Sequence, residues 1–333
     1  MKLLKQLTLA LTLGCSLIGA AAQAQEREIK FALDFIPLGR HAPWYVALSK
    51  GYFKAENLNV SILPTKGTAD AIRYVESGLA EFGFIDIASL AASGGAGAPI
   101  RVVAANYQQA PYCVFSLNPG ANVSAPKDLV GLEVGSSSAS YTPKIYAAFM
   151  KMNGLDPSSL KIVNIDGAAR VPMLAARKVP AIDSFLMSEP SIKRAVKDAQ
   201  VKCLFLGDFG LDIYANGIGV REDFLKKNPE VVRGFVRAAL RGWKDALNDP
   251  EEAARIQVQY IKALDPKIIV EELKLVRRLA VTADVNEHGL GAISREKMKR
   301  TVDFVNNNLD VQGKRTAEQI MVEGFLPSPP IKP

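Results

Sequence analysis

Histidine, tryptophan and cysteine are scarce in this 333-residue chain: two His, two Trp and three Cys. With His41 and His288 far apart and no paired cysteine spacing, the ligand set of a transition-metal site is missing, and no cofactor is expected. No strand is followed by a glycine-rich dinucleotide fingerprint, and Gly313-Lys-Arg-Thr lacks the upstream glycine of a phosphate loop, having Asn308 there. No internal repeat or low-complexity tract is present. Only one apolar run is long, at the N-terminus, and it falls short of the ~20 residues that span a bilayer. The formal net charge of +7 includes Lys2 and Lys5 of that segment. The rest is spread over mixed-sign runs such as Arg295-Glu-Lys-Met-Lys-Arg300, which reads as solvated surface and excludes nucleic acid as a partner.

What is present begins with an export signal: a basic start at Met1 to Lys5, an apolar stretch from Leu7 to Ala22, and the Ala22-Gln23-Ala24 cleavage site. Residues 1–24 are thus expected to be removed and the mature protein to reside in the periplasm. Thr12-Leu-Gly-Cys15 loosely resembles a lipoprotein box and offers lipidation as an alternative. Cleavage leaves Cys113 and Cys203, which either pair or persist as buried thiols.

At 48% hydrophobic content the chain can bury two ordinary cores. Its first ordered stretch is decisive. Ile29 to Phe35 reads as a strand, Pro37 and Gly39 break it, and Pro43 opens a helix that Gly51 stops. Asp34, Phe35, Pro37, Arg40, His41 and Trp44 are thereby placed at the carboxyl end of a strand, where open α/β sheets bind ligands. Strands then alternate with helices: Leu58 to Leu63, Thr68 to Leu79, Phe82 to Ile87, Ile100 to Ala105. This rhythm predicts a parallel sheet covered on both faces.

The Pro, Gly and Asn content of 118–127 suggests a domain crossing. A second α/β unit follows, with strands at 132–134, 161–164, 181–186 and 201–206, and 207–220, including Asn216, returns to the first. The division expected is 25–115, 116–210 and 211–333. Beyond 228 the chain reads as helical, Val231, Val232, Phe235, Val236, Ala239, Leu240 and Trp243 sharing one face. Two α/β lobes with two crossings fit a hinged protein that closes on a ligand.

Three further groups carry chemistry. Asp86 and Ser89 follow the third strand. Gly135, Ser136, Ser137, Ser138 and Tyr141 form a hydroxyl-rich turn before a helix, suited to an anionic or strongly accepting group. The same turn approaches a nucleophile elbow, but Ala139 replaces its last glycine and His288 reads as surface, so a serine hydrolase is the weaker reading. Glu189 either faces the first lobe or opens the helix at Pro190. Asp34 is expected to accept hydrogen bonds from a donor edge of the ligand, with little role in stability.

Leu33-Asp-Phe-x-Pro-x-x-x-His41, Tyr45-Val-Ala, Lys50-Gly-Tyr-Phe53, Glu222-Asp-Phe-Leu-Lys-Lys-Asn-Pro-Glu230 and Phe235-Val-Arg-Ala-Ala-Leu-Arg-Gly-Trp243 together resemble a known group. These are the periplasmic solute-binding proteins of ABC importers for thiamine pyrimidine precursors, with taurine, alkanesulfonate and nitrate receptors as relatives. The resemblance implies an α/β, two-lobed periplasmic binding protein fold (type II-like) with two hinge crossings. It also implies a monomer that delivers a small molecule to a permease and its ATPase, without catalysis. A yeast-type enzyme that makes the thiamine pyrimidine shares the fold. Ser89 stands where that enzyme has its substrate histidine, and Ile218-Gly-Val220 where its cysteines lie. Phe35 replaces the more usual Trp, and Leu38-Gly-Arg40 an Asn-rich run, so Arg40 could instead pair with a carboxylate or sulfonate.

Overall fold

The computed structural model describes residues 26–94, 99–137, 142–309, 311 and 313–333. The export signal, Cys15, Ser138 and Tyr141 therefore lie outside the described residues. Among the described residues, ten strands form two five-stranded sheets. The first contains β1 (Arg27–Ala32), β2 (Leu58–Leu63), β3 (Phe82–Asp86), β4 (Ile100–Ala105) and, from much later in the chain, β10 (Asn216–Arg221), in the order β2-β1-β3-β10-β4. The second contains β5 (Tyr112–Asn118), β6 (Glu133–Ser136), β7 (Lys161–Asn164), β8 (Ala181–Phe185) and β9 (Gln200–Phe205), in the order β7-β6-β8-β5-β9.

Each sheet is mixed, where the alternation of elements predicts an all-parallel one. β10 runs antiparallel to β3 and β4, and β5 antiparallel to β8 and β9. These are the strands that enter each sheet directly after a crossing. A strand arriving without a helical crossover has no need to share its neighbours' direction. The first crossing also falls earlier than the Pro- and Gly-rich stretch suggests: β5 already belongs to the second sheet, so the chain changes lobe between 106 and 111, and 118–127 is the exit from β5. Cys113 on β5 and Cys203 on β9 are disulfide-bonded with Cα atoms 5.8 Å apart, an ordinary separation for a cross-strand bridge.

The first lobe's core explains where the site loop sits. Ile29 and Phe31 point inward from β1 while Lys30 faces out. Phe82 stacks on Phe235 at 4.0 Å between centroids, and Phe31 lies 5.5 Å from the same ring. Phe235 belongs to the long helix Pro229–Asn248, whose buried face is the one its periodicity predicts; only Val231 is half exposed. Each such fully buried side chain contributes roughly 1.5–3 kcal/mol. The helix Ala42–Ser49 lies against it so tightly that a Cβ on Gly242 would meet the Pro43 carbonyl oxygen at 2.5 Å and the Ala47 Cβ at 2.6 Å. That contact fixes the short helix, and with it the loop from Leu33 to His41.

Candidate functional site

Asp34 lies two residues beyond β1 and is 4% exposed. One Asp34 oxygen accepts from Arg40 Nη1 at 3.0 Å and from His41 Nε2 at 2.8 Å; the other accepts from Arg40 Nη1 at 2.8 Å and from Asn216 Nδ2 at 2.9 Å. A carboxylate has about four acceptor positions, and all are occupied by the protein itself. Burial would push Asp34 up, but the Arg40 charge and the His41 hydrogen bond outweigh it and hold the carboxyl at about 2. Arg40 is 4% exposed; its backbone N–H donates to Glu272 at 3.0 Å, and its guanidinium stands 5.2 Å from the Phe185 ring centre. Asp34 thus stands just beyond the carboxyl end of β1 with its oxygens engaged by Arg40, His41 and Asn216.

His41 is fully buried, and Nδ1 accepts the Leu38 N–H at 3.0 Å, so Nε2 carries the proton given to Asp34. Burial and the Arg40 charge push its pKa down to about 4, against the pull of Asp34. An unfolded-state His binds a proton between pH 6.5 and about 4 while His41 does not, so stability falls as the pH drops through that window. The loss is roughly 3 kcal/mol across the whole interval. Asp34 adds a loss of the same sign only below 3.8, whereas Asp86 and Glu272, both raised by burial, act in the opposite sense. Chemical unfolding at a series of pH values should show this slope in the wild type and lose it in His41→Gln; parallel curves would refute the assignment.

Asp86 ends β3 and caps the helix Ile87–Ala92, accepting from Ser89 N–H at 2.6 Å. Its other oxygen accepts from the Tyr112 hydroxyl at 2.6 Å, a bond that crosses from the second lobe to the first. The second lobe's own wall is built on Asp183, in β8 and 1% exposed. Asp183 accepts from Ser136 Oγ at 2.7 Å and forms an ion pair with Arg170 Nη1, which also donates to the Asp183 carbonyl at 2.9 Å.

Between these walls lies a cleft of about 700 Å³, part of it open to solvent. Of the residues expected in the site, Asp34, Phe35, Arg40, Asp86, Ser89 and Ser137 line it. His41, Asn216 and Ser136 stand behind the wall and hold lining residues in place. Pro37, Gly135 and Glu189 do not line it. Glu189 opens the helix Glu189–Ala195 and pairs with Lys193 at 2.7 Å. Trp44 is a core residue, 4.6 Å from Phe31, 5.1 Å from Phe84 and 5.5 Å from Trp243 between ring centres. Its helix is apolar on nearly every side, so spacing alone gives no facing direction.

Lys66, Thr68, Tyr112, Arg170, Asp183 and Phe185 also line the cleft and escape the sequence reading. Asp183 carried a legible signal, a charge inside the apolar strand Ala181 to Phe185. The two lobes touch: besides Tyr112 to Asp86, Ser191 Oγ donates to Glu272 at 2.8 Å, Arg194 pairs with Asp265, and the Phe35 ring lies against Gly167.

Two α/β lobes closed over a shared polar cleft define a two-lobed binding-protein fold. Residues 39–253 match the family described as NMT1/THI5 like, and the chain belongs to that family. It is 28% identical over 321 residues to the riboflavin-binding protein RibY of Chloroflexus aurantiacus, covering 92% of this chain and 88% of that one. It is 23% identical to the formylaminopyrimidine-binding protein of Halalkalibacterium halodurans, over 68% of this chain and 69% of that one. A 4-amino-5-hydroxymethyl-2-methylpyrimidine phosphate synthase of Legionella pneumophila is 23% identical, over 93% and 96%. The fold matches the alkanesulfonate-binding protein SsuA of Xanthomonas axonopodis pv. citri, solved bound to MOPS, with a TM-score of 0.72 at 11% identity over 90% of this chain and 100% of that one. The periplasmic binding protein architecture expected from the sequence is the one observed.

Proposed function

We propose that the chain is an extracytoplasmic, non-catalytic receptor that closes on a small pyrimidine-ring compound, a thiamine pyrimidine precursor among the candidates, and delivers it as a monomer to an ABC permease. The observation that carries this reading is the charge balance of the cleft. Each guanidinium in it, Arg40 and Arg170, is already paired with its own buried carboxylate, Asp34 and Asp183. A receptor for sulfonate or nitrate gains its affinity from cations left without a partner, since burying an uncompensated anion is costly. The remaining lining cation, Lys66, is solvent-exposed and is matched in formal charge by Asp86, so the walls offer polar atoms and aromatic rings, Phe35 and Phe185, with little net charge, which suits a flat polar heterocycle.

Catalysis has little to work with. Both nitrogens of His41 are engaged, Ser136 is bonded to Asp183, and His288 lies exposed beside Asp284. Ser89 stands where the synthase-type enzymes are expected to carry their histidine.

A ligand that binds only the folded protein raises its melting temperature by mass action. In a thermal-shift screen, hydroxymethylpyrimidine, formylaminopyrimidines or riboflavin are expected to stabilise the protein, and taurine, alkanesulfonates and nitrate to leave it unchanged. A shift with the anions alone would sink the pyrimidine-ring reading.

A further inference from the structure

The hydrogen-bonding capacity left open differs from place to place in the cleft. On the acceptor side, Asp34 is saturated, whereas Asp183, bonded to Arg170 and Ser136, and Asp86, bonded to Ser89 and Tyr112, each have about two of four positions filled. On the donor side, Arg170 spends Nη1 on Asp183 and Nε on the Gly167 carbonyl at 3.4 Å, while Nη2 has no acceptor among the described residues. Its two N–H groups belong to a side chain that is 15% exposed and lines the cleft. Thr68 Oγ accepts the Asp86 N–H at 3.1 Å, which leaves its own hydrogen for another partner.

At the edge that Arg170 Nη2 faces, the open capacity is therefore in donors. A ligand complementary to it presents neutral acceptors on a planar edge, as a ring carbonyl does. An amino group at the same edge would set N–H against N–H.

We propose that Arg170 is the specificity-determining group of the cleft, selecting rings with an oxo group at this edge over rings with an amino group. Asp183 and Ser136 are its positioning residues. Nη1 is fixed by two bonds to one residue, so the guanidinium plane, and the direction of Nη2, is set before ligand arrives. The inference rests on the pyrimidine-ring reading above and narrows it.

The test uses three probes on the purified protein: riboflavin and 5-hydroxymethyluracil, which carry ring carbonyls, and 4-amino-5-hydroxymethyl-2-methylpyrimidine, which carries an amino group. Calorimetric titration of the wild type should show tighter binding of at least one oxo ring than of the amino ring. Arg170→Gln should weaken the oxo ring by tenfold or more and the amino ring by less than threefold. Because loss of the cation strands Asp183, Arg170→Lys is the companion: it keeps the ion pair and the melting temperature but loses the fork, and should also weaken the oxo ring by at least fivefold. Ser136→Ala should weaken it severalfold without changing the order of preference. Tighter binding of the amino ring by the wild type, or oxo-ring affinity within twofold of wild type in both Arg170 variants, overturns the assignment and leaves the pyrimidine receptor standing. Absence of binding by all three probes overturns both.

Discussion

Asp34→Ala is expected to cost about 3–5 kcal/mol of stability, the range seen when one partner of a buried ion pair is removed. The guanidinium of Arg40 is 4% exposed and, among the described residues, the carboxylate it pairs with is Asp34. Truncation strands that charge and also removes the acceptor of His41 Nε2 and Asn216 Nδ2, both buried. Each orphaned donor adds about 1–3 kcal/mol in principle, but relaxation and water entry limit the sum. The discriminating variant is Asp34→Ala/Arg40→Met. If the stranded charge dominates, the double mutant is more stable than Asp34→Ala alone, a non-additivity that urea unfolding would show directly. The sequence suggests the contrary, a ligand-facing carboxylate with little structural weight. A loss below 1 kcal/mol in the single mutant would restore that view.

The difference between those two readings shows what sequence could and could not convey. Asp34, Phe35 and Arg40 fall within seven residues, and the strand, the Pro37–Gly39 break and Pro43 fix their local geometry, so their place on one cleft wall was legible. Which partner saturates Asp34 was not, since Asn216 comes from β10, 182 positions later. The second wall was harder still. Arg170 and Asp183 belong to different elements, and their pairing depends on how the helix Arg170–Ala175 settles beside β8. The direction of β5 and β10 was hidden for the same reason: each is a short apolar run whose orientation is decided by the sheet it joins after the chain changes lobe.

Gly167→Val is expected to raise the ligand dissociation constant by one to two decades while leaving the unliganded fold nearly untouched. Gly167 belongs to the second lobe, and a Cβ there would lie 2.8 Å from two ring carbons of Phe35 in the first. In its own lobe the nearest atom is Arg170 Nη2, 3.3 Å from the added Cβ and at the end of a flexible side chain, so the open protein accommodates the substitution by a small shift there and the larger penalty falls on closure. Overpacking of this kind costs about 1–3 kcal/mol, which converts to the stated loss because binding depends on the closed state. Phe35 can escape only by swinging away, which removes an aromatic ring from the cleft wall and harms binding by another route. Small-angle scattering separates the two. If closure is blocked, saturating ligand no longer reduces the radius of gyration of Gly167→Val, and adding Phe35→Ala restores the reduction. If the ring merely yields, the single mutant still contracts on ligand. Wild-type affinity in Gly167→Val would mean that the lobes do not need to meet at this contact, and that the closed arrangement is not the binding state.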